Sequence, residues 1–131
     1  MYLVSLYEKE GIVEASLGGR ITADEVRVFG DELIELMAHM NGYPFEVLLD
    51  HSRARRMDAD TVVALSDVKD DLLASGATMI WCVVADESDR AAHQTVRLQH
   101  VLEGNESFVT EPTQAKFKTR VHVQERARRA A

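Results

Sequence analysis

A run of seven residues limits the possible folds of this chain more than any other feature. Residues 79–85 are apolar at both odd and even positions. A strand with one buried face alternates between apolar and polar residues, whereas a central strand of a parallel sheet is buried on both faces and is apolar throughout. The run therefore predicts a parallel strand covered by helices on both sides, as in an α/β domain.

The segments around this run alternate between strand and helix patterns. Short β-favouring runs predict strands, and apolar residues at steps of three and four predict helices. The last helix is the least determined, because residues 117–123 also alternate like a strand. The predicted strands are residues 2–7, 12–17, 45–49, 79–85 and 107–110, and the predicted helices are 23–40, 59–75, 87–103 and 112–121. This order predicts a single-domain α/β fold with an antiparallel opening hairpin and a mixed, mainly parallel sheet of about five strands and about four helices.

Capping residues and apolar stripes define the predicted helices. Thr22 stands three residues before Glu25, which is the spacing of a capping box. Asp58 or Asp60 suits the start of the second helix, and Gly76 suits its end. The residues expected to face the core are Val26, Phe29, Leu33, Leu36, Met37 and Met40 in the first helix, Val62, Leu65, Val68, Leu72 and Leu73 in the second, and Ala91, Leu98, Val101 and Leu102 in the third.

Length and composition are those of one ordinary globular domain. The 131 residues are 46% hydrophobic, with a formal net charge of -7. We assign residues 1–123 to the domain and residues 124–131 to a basic C-terminal tail. The single cysteine, Cys82, excludes an internal disulfide framework. No stretch has the pattern of a signal peptide or the roughly 18 apolar residues of a membrane span, so we expect a cytoplasmic protein without stable membrane insertion.

Several segments together resemble the STAS fold, the SpoIIAA-like or anti-sigma-factor-antagonist family. They are Val47-Leu48-Leu49-Asp50-His51-Ser52, Met57-Asp58, Val62-Val63-Ala64-Leu65, Gly76 and the strand through Val84. The order of elements matches that family from about Tyr2 to about Val121. The resemblance implies a non-enzymatic regulatory or protein-binding module. In antagonist members, a kinase phosphorylates a Ser or Thr at the start of the second helix.

The residue at that phosphoacceptor position differs in this chain. The family pattern of an apolar residue, Asp, two Ser/Thr positions and Gly aligns with residues 57–61 and places Asp60 where the phosphoacceptor would be. A carboxylate accepts no phosphate from such a kinase, and it already places negative charge at a helix N-terminus. Thr61 remains an alternative acceptor, although one residue further along a helix points about 100° away.

We predict a protein-binding surface where the second helix begins. Ligands of open α/β sheets favour the loops after the strands, and this position coincides with the switch region of the resembling family. Arginine forks in a dense basic cluster can bind carboxylates of a protein partner, although salt bridges to Asp58 or Asp60 would also explain the cluster. The loop 86–88 lies at the same edge. The predicted partner-binding residues are Asp50, His51, Ser52, Arg53, Arg55, Arg56, Asp58, Asp60 and Thr61.

Patterns for catalysis, metals and nucleotides are weak. Asp50, His51 and Ser52 have the side-chain types of a hydrolytic triad, but neighbours in an extended segment point to opposite faces. His93 and His100 are seven residues apart with Arg97 between them, and a guanidinium repels a metal cation. Gly18-Gly19 lacks the spacing of a phosphate-binding loop. We therefore predict no enzyme, no catalytic residue, no metal and no cofactor.

Charge is distributed unevenly along the chain. Residues 114–131 carry six Lys or Arg and one Glu, whereas residues 1–113 carry nine basic and 21 acidic side chains. The acidic body opposes binding to nucleic acid and anionic membranes. The basic segment is compatible with a solvated end or with docking on the acidic body of its own or a neighbouring chain, so a homodimer stays open. The alternative function is a carrier that holds a small apolar ligand or lipid between a helix and the sheet.

Overall fold

The computed structural model describes residues 1–40, 42–113, 124–125 and 128. Within them the elements are β1 (Tyr2–Tyr7), β2 (Ile12–Gly19), α1 (Ala23–Met37), β3 (Phe45–Ala54), α2 (Ala59–Ala74), β4 (Ala77–Val83), α3 (Glu87–Val96), α4 (Leu98–Glu103) and β5 (Glu106–Val109), and a 3₁₀ turn, Ala38–Met40, follows α1. The predicted single-domain mixed α/β fold is confirmed. The predicted last helix, 112–121, lies mostly outside the described residues.

One sheet holds all five described strands in the order β1-β2-β3-β4-β5. The opening hairpin β1–β2 is antiparallel, and the β2–β3, β3–β4 and β4–β5 pairs are parallel. These are the directions that crossover helices between successive strands impose. The carboxyl ends of β2 to β5 therefore meet at one edge of the sheet, beside the starts of α1, α2 and α3.

Side-chain caps fix where the helices begin. The Thr22 hydroxyl accepts a hydrogen bond from the Glu25 backbone N–H at 3.2 Å, as the capping-box spacing predicts. Asp58, rather than Asp60, caps α2, and Asp86 caps α3. Each cap satisfies a backbone N–H that has no partner within the helix.

The main core lies between the sheet and helices α1 and α2. The α1 stripe is confirmed, with Val26, Phe29 and Leu33 fully buried. Gly30 allows close contact between the two helices, because a Cβ there would lie 2.5 Å from Cγ2 of Val68. Among the described residues, a smaller cluster on the opposite face of the sheet consists of the strand residues Leu48, Met79, Trp81, Val83 and Val109.

Two predictions were wrong. The polar segment after Leu49 is not a loop, because β3 continues to Ala54 and pairs with the end of β2. The third helix is broken at Arg97 into α3 and α4, and its predicted inward residues Ala91, Leu98 and Leu102 are exposed. His93 and Arg97 are buried instead, because they contact polar groups in the interior. No helix formed by the described residues combines the length and apolar character needed to cross a membrane.

Candidate functional site

The predicted surface forms where β3 leaves the sheet and enters α2. The Arg55 backbone N–H donates to the Gly19 carbonyl at 2.9 Å, so the chain stays beside β2 until the turn. Within β3, Asp50 Oδ1 accepts from the Ser52 backbone N–H at 2.9 Å and from its hydroxyl at 2.6 Å. These bonds fix the backbone from which the arginine side chains project.

Three arginine side chains are exposed at this turn. The guanidinium groups of Arg53, Arg55 and Arg56 form no hydrogen bond or salt bridge with any described residue. The alternative in which they pair with Asp58 or Asp60 is therefore not realised. Guanidinium groups without a partner among the described residues have donors available for carboxylates of another molecule.

The start of α2 carries negative charge in two different arrangements. Asp58 Oδ1 accepts from the Thr61 backbone N–H at 2.8 Å and from its hydroxyl at 2.7 Å. These hydrogen bonds, with Arg20 nearby, lower the pKa of Asp58 below its usual value. Asp60 is exposed in the first turn, whereas Thr61 is fully buried. The burial of Thr61 and its bond to Asp58 leave the alternative phosphoacceptor inaccessible in this conformation.

A shallow depression extends this surface toward the start of α1. Its volume is about 370 Å³, and its lining includes Thr22, Asp24, Arg27 and Asp60. Arg27 Nη1 donates to Asp24 Oδ1 at 2.8 Å, so part of its charge is already paired. We call the exposed set Arg53, Arg55, Arg56, Asp58 and Asp60 the β3–α2 surface. The predicted loop 86–88 is exposed as well, at the start of α3.

The triad-like segment does not form a catalytic relay. Asp50 and Ser52 lie on one face of β3, and His51 lies on the other, where it is buried. The His51 ring contacts His93 of α3, with ring centroids 4.5 Å apart. His51 therefore contributes to the interior and does not belong to the exposed surface for which the sequence suggested it.

A cluster of buried charges joins α2, the break between α3 and α4, and β5. It was not predicted from the sequence. Glu106 is buried and binds two buried cations, since Lys69 Nζ donates to Oε2 at 3.2 Å and Arg97 Nε donates to Oε1 at 2.9 Å. Lys69 Nζ also lies 4.7 Å from the centre of the Phe108 ring. Arg97 Nη1 donates further to Ser66 and Asp70 on α2. We call Lys69, Arg97 and Glu106 the interior ion cluster.

The interior ion cluster and burial change how neighbouring groups titrate. Burial, followed by the nearby Lys69 charge, lowers the pKa of His93 to about 4 and lowers the pKa of His51 well below its ordinary value. Burial raises the pKa of Cys82 to about 12, so its thiol stays protonated and is a poor nucleophile. This arrangement keeps the histidines neutral inside the fold and supports packing rather than catalysis.

The spacing of residues along the helices could have predicted that part of the interior ion cluster is buried. Lys69 stands four residues after Leu65 and three before Leu72, on the buried face of α2. Likewise, His93 and Arg97 are four residues apart, which places them on one side of a helix. His100 does not join His93. Its Nε2 lies 3.2 Å from Asp70 Oδ1, and the described residues contain no group of three metal-ligating side chains.

A second depression lies on the outer face of β1, β2 and β3. It has a volume of about 520 Å³, and its lining includes Leu3, Ser16, Leu48, Asp50 and Arg53. The described lining of this groove belongs to Met1, β1, β2 and β3, whereas the carrier alternative expected its ligand between a helix and the sheet.

Comparison with known proteins adds no assignment. No protein-family model matches the chain, and no curated protein matches it either.

Proposed function

We propose that this protein is a non-catalytic regulatory module of the STAS-like kind that binds a protein partner through the β3–α2 surface. The observation that carries the proposal is the set of three exposed arginine side chains without a partner among the described residues, beside a backbone hydrogen bond from Arg55 to Gly19. Because the interior histidines and the cysteine are buried and neutral, the described residues offer little support for an enzyme.

Charge complementarity defines the partner's chemistry. The arginines provide forked donors that suit carboxylates, and Asp60 provides a negative charge in the first turn of α2. A partner that presents acidic residues to the arginines and a basic residue to Asp60 matches both signs. Such complementarity selects a partner and speeds its encounter more than it adds raw affinity.

The fixed charge of Asp60 distinguishes this module from a phosphorylation switch. A phosphate on the equivalent hydroxyl would be added and removed by enzymes, whereas a carboxylate is charged at all times near neutral pH. We therefore expect partner binding to be independent of phosphatase treatment. Regulation would then depend on partner concentration and not on a kinase.

The test is quantitative affinity capture with variants of equal net charge. Wild-type protein identifies the partner by mass spectrometry, and two triple variants are then compared for its recovery. One carries Arg53→Gln, Arg55→Gln and Arg56→Gln, and the control carries Lys9→Gln, Arg90→Gln and Arg128→Gln, which are residues outside the β3–α2 surface. We expect about tenfold lower recovery with the first and unchanged recovery with the control. Equal recovery with both variants would contradict the proposal.

Binding of a small apolar ligand is the second candidate, and the groove on the outer face of β1 to β3 favours it. Its volume of about 520 Å³ lies in the range of small-molecule sites. Native mass spectrometry after gentle purification tests this candidate. A bound mass that Leu48→Arg abolishes would support it, and apo protein alone would contradict it.

A further inference from the structure

Strand β1 forms one edge of the sheet, and the described residues provide none of the features that normally protect an edge. It pairs with β2 on one side, and no described strand pairs with it on the other. Its six residues include no charged residue and no proline. Met1, Leu3 and Tyr7, at and beside this edge, are exposed. Uncharged edge strands readily pair with another strand, and natural proteins usually block them with lysine, proline or a cover.

The hydrogen bonds to β2 show which backbone groups of β1 point outward. Met1 N donates to the Gly18 carbonyl at 3.1 Å, and Gly18 N donates to the Met1 carbonyl at 2.9 Å. Bonded and non-bonded pairs alternate along an antiparallel ladder. Odd residues of β1 therefore bond to β2, and the N–H and C=O groups of Tyr2, Val4 and Leu6 point away from the sheet.

We propose that a second copy of this chain pairs with that edge, β1 against β1, in an antiparallel register centred on Val4. A two-fold axis perpendicular to the sheet places Val4 opposite Val4 and Tyr2 opposite Leu6. These are the residues whose backbone groups point outward, so every one of them gains a partner across the axis. The contact joins two five-stranded sheets into one continuous sheet.

The side chains fit the same register. Tyr7 lies opposite Met1 of the second copy, and Leu3 lies opposite Ser5 and diagonal to the second Leu3, so the exposed apolar groups of this face meet across the axis. No like charges meet along the ladder. A foreign strand would find no charge on this edge to select it, whereas a second copy supplies a matching pattern of outward backbone groups and apolar side chains.

The size of the contact predicts its strength. Six residues extend over about 20 Å and a sheet is about 10 Å thick, so the pairing covers roughly 200 Å² on each copy. Stable complexes bury about 800 Å² per partner, so we expect a weak dimer that forms between roughly 10 μM and 1 mM. Each copy carries a net charge of -7, so salt should strengthen the dimer by screening repulsion.

The register can be tested with three variants in sedimentation equilibrium experiments. Leu3→Lys places two cations near each other across the axis and should weaken dimerisation roughly tenfold. Combining Leu3→Lys with Ser5→Glu places opposite charges on directly facing residues and should restore the dimer. Leu102→Lys is the matched control, because Leu102 is also exposed but lies on α4.

Hydrogen exchange gives an independent reading of the same interface. On raising the protein concentration, the amides of Tyr2, Val4 and Leu6 should gain protection, while those of Leu3 and Ser5 should change little. A monomer at all concentrations up to about 1 mM would overturn the proposal. A dimer that forms equally well with Leu3→Lys would also overturn it. So would a dimer that weakens in salt and is lost on deleting residues 124–131, because that result indicates docking of the basic tail.

Discussion

The molecule holds two groups of charged side chains in opposite situations. In the interior ion cluster, Glu106 contacts both Lys69 and Arg97, and all three side chains are buried. On the β3–α2 surface, three arginines are exposed and have no partner among the described residues. Paired charges inside hold α2, α3 and β5 together, because separating them leaves a buried ion without compensation. Unpaired charges outside contribute little to the fold and remain available for recognition.

Removing the central acid of the interior ion cluster should have the largest effect. Glu106→Gln leaves two buried cations without their shared carboxylate, and we expect a loss of about 3–5 kcal/mol in the free energy of unfolding. Urea denaturation measures this loss. Asp67→Asn is the control, because Asp67 is exposed on the same helix that carries Lys69, and it should change stability by less than about 0.5 kcal/mol. Equal losses of unfolding free energy in the two variants would show that the buried carboxylate contributes no more to stability than an exposed one.

Acid should weaken the interior before it affects the surface. The pKa values of His51 and His93 are lowered in the folded protein, so the unfolded chain binds protons first as the pH falls below about 6.5. The stability that the neutral histidines contribute is complete above that pH and decreases toward pH 4. The slope is about 1.4 kcal/mol per pH unit for each histidine.

His93→Phe isolates one of these histidines. It retains an aromatic ring but removes one titrating group, so the fall in stability between pH 6.5 and 4 should become smaller. His39→Phe is the control, because His39 is exposed. Unfolding curves at several pH values give the slopes, and the same slope in both variants would contradict the assignment.

Two aspartates at the start of α2 allow a matched comparison at the boundary between interior and surface. Asp58→Ala removes both hydrogen bonds to Thr61 and should cost about 1 kcal/mol. Asp60→Ala removes a carboxylate that forms no bond with a described residue and should cost less than about 0.5 kcal/mol. Thermal unfolding separates these values. A larger loss from Asp60→Ala would mean that its charge serves the fold.

The smallest effect on stability is expected at the arginines. Replacing Arg53, Arg55 and Arg56 by Gln should change the free energy of unfolding by less than about 0.5 kcal/mol, because exposed unpaired charges add little. Calorimetry on the variant used for affinity capture measures this directly. A strongly destabilised variant would show that the guanidinium groups support the turn, and its weaker partner binding would then carry no information about recognition.

The sequence allowed the order of strands and helices along the chain and the candidate helix caps to be predicted, because these depend on local patterns. Thr22 and Asp58 cap their helices through neighbours three residues away, and the α1 stripe follows the helical period. The interior ion cluster depends on contacts between distant residues, such as Lys69 with Glu106. The expectation that charged side chains lie at the surface was wrong for this cluster. It also led to the wrong prediction of which face of α3 and α4 is buried. His51 was assigned to the surface because the segment after Leu49 was predicted to be a loop, whereas β3 continues there.

Site-specific photo-crosslinking to the captured partner tests the central claim most directly. Ala59→p-benzoylphenylalanine places the probe on the exposed first turn of α2, next to the arginines and without altering them, and Leu102→p-benzoylphenylalanine places it on the exposed side of α4. We expect a crosslink to the partner from position 59 and none from position 102. A crosslink from position 102 alone would show that the partner binds elsewhere and would contradict recognition at the β3–α2 surface.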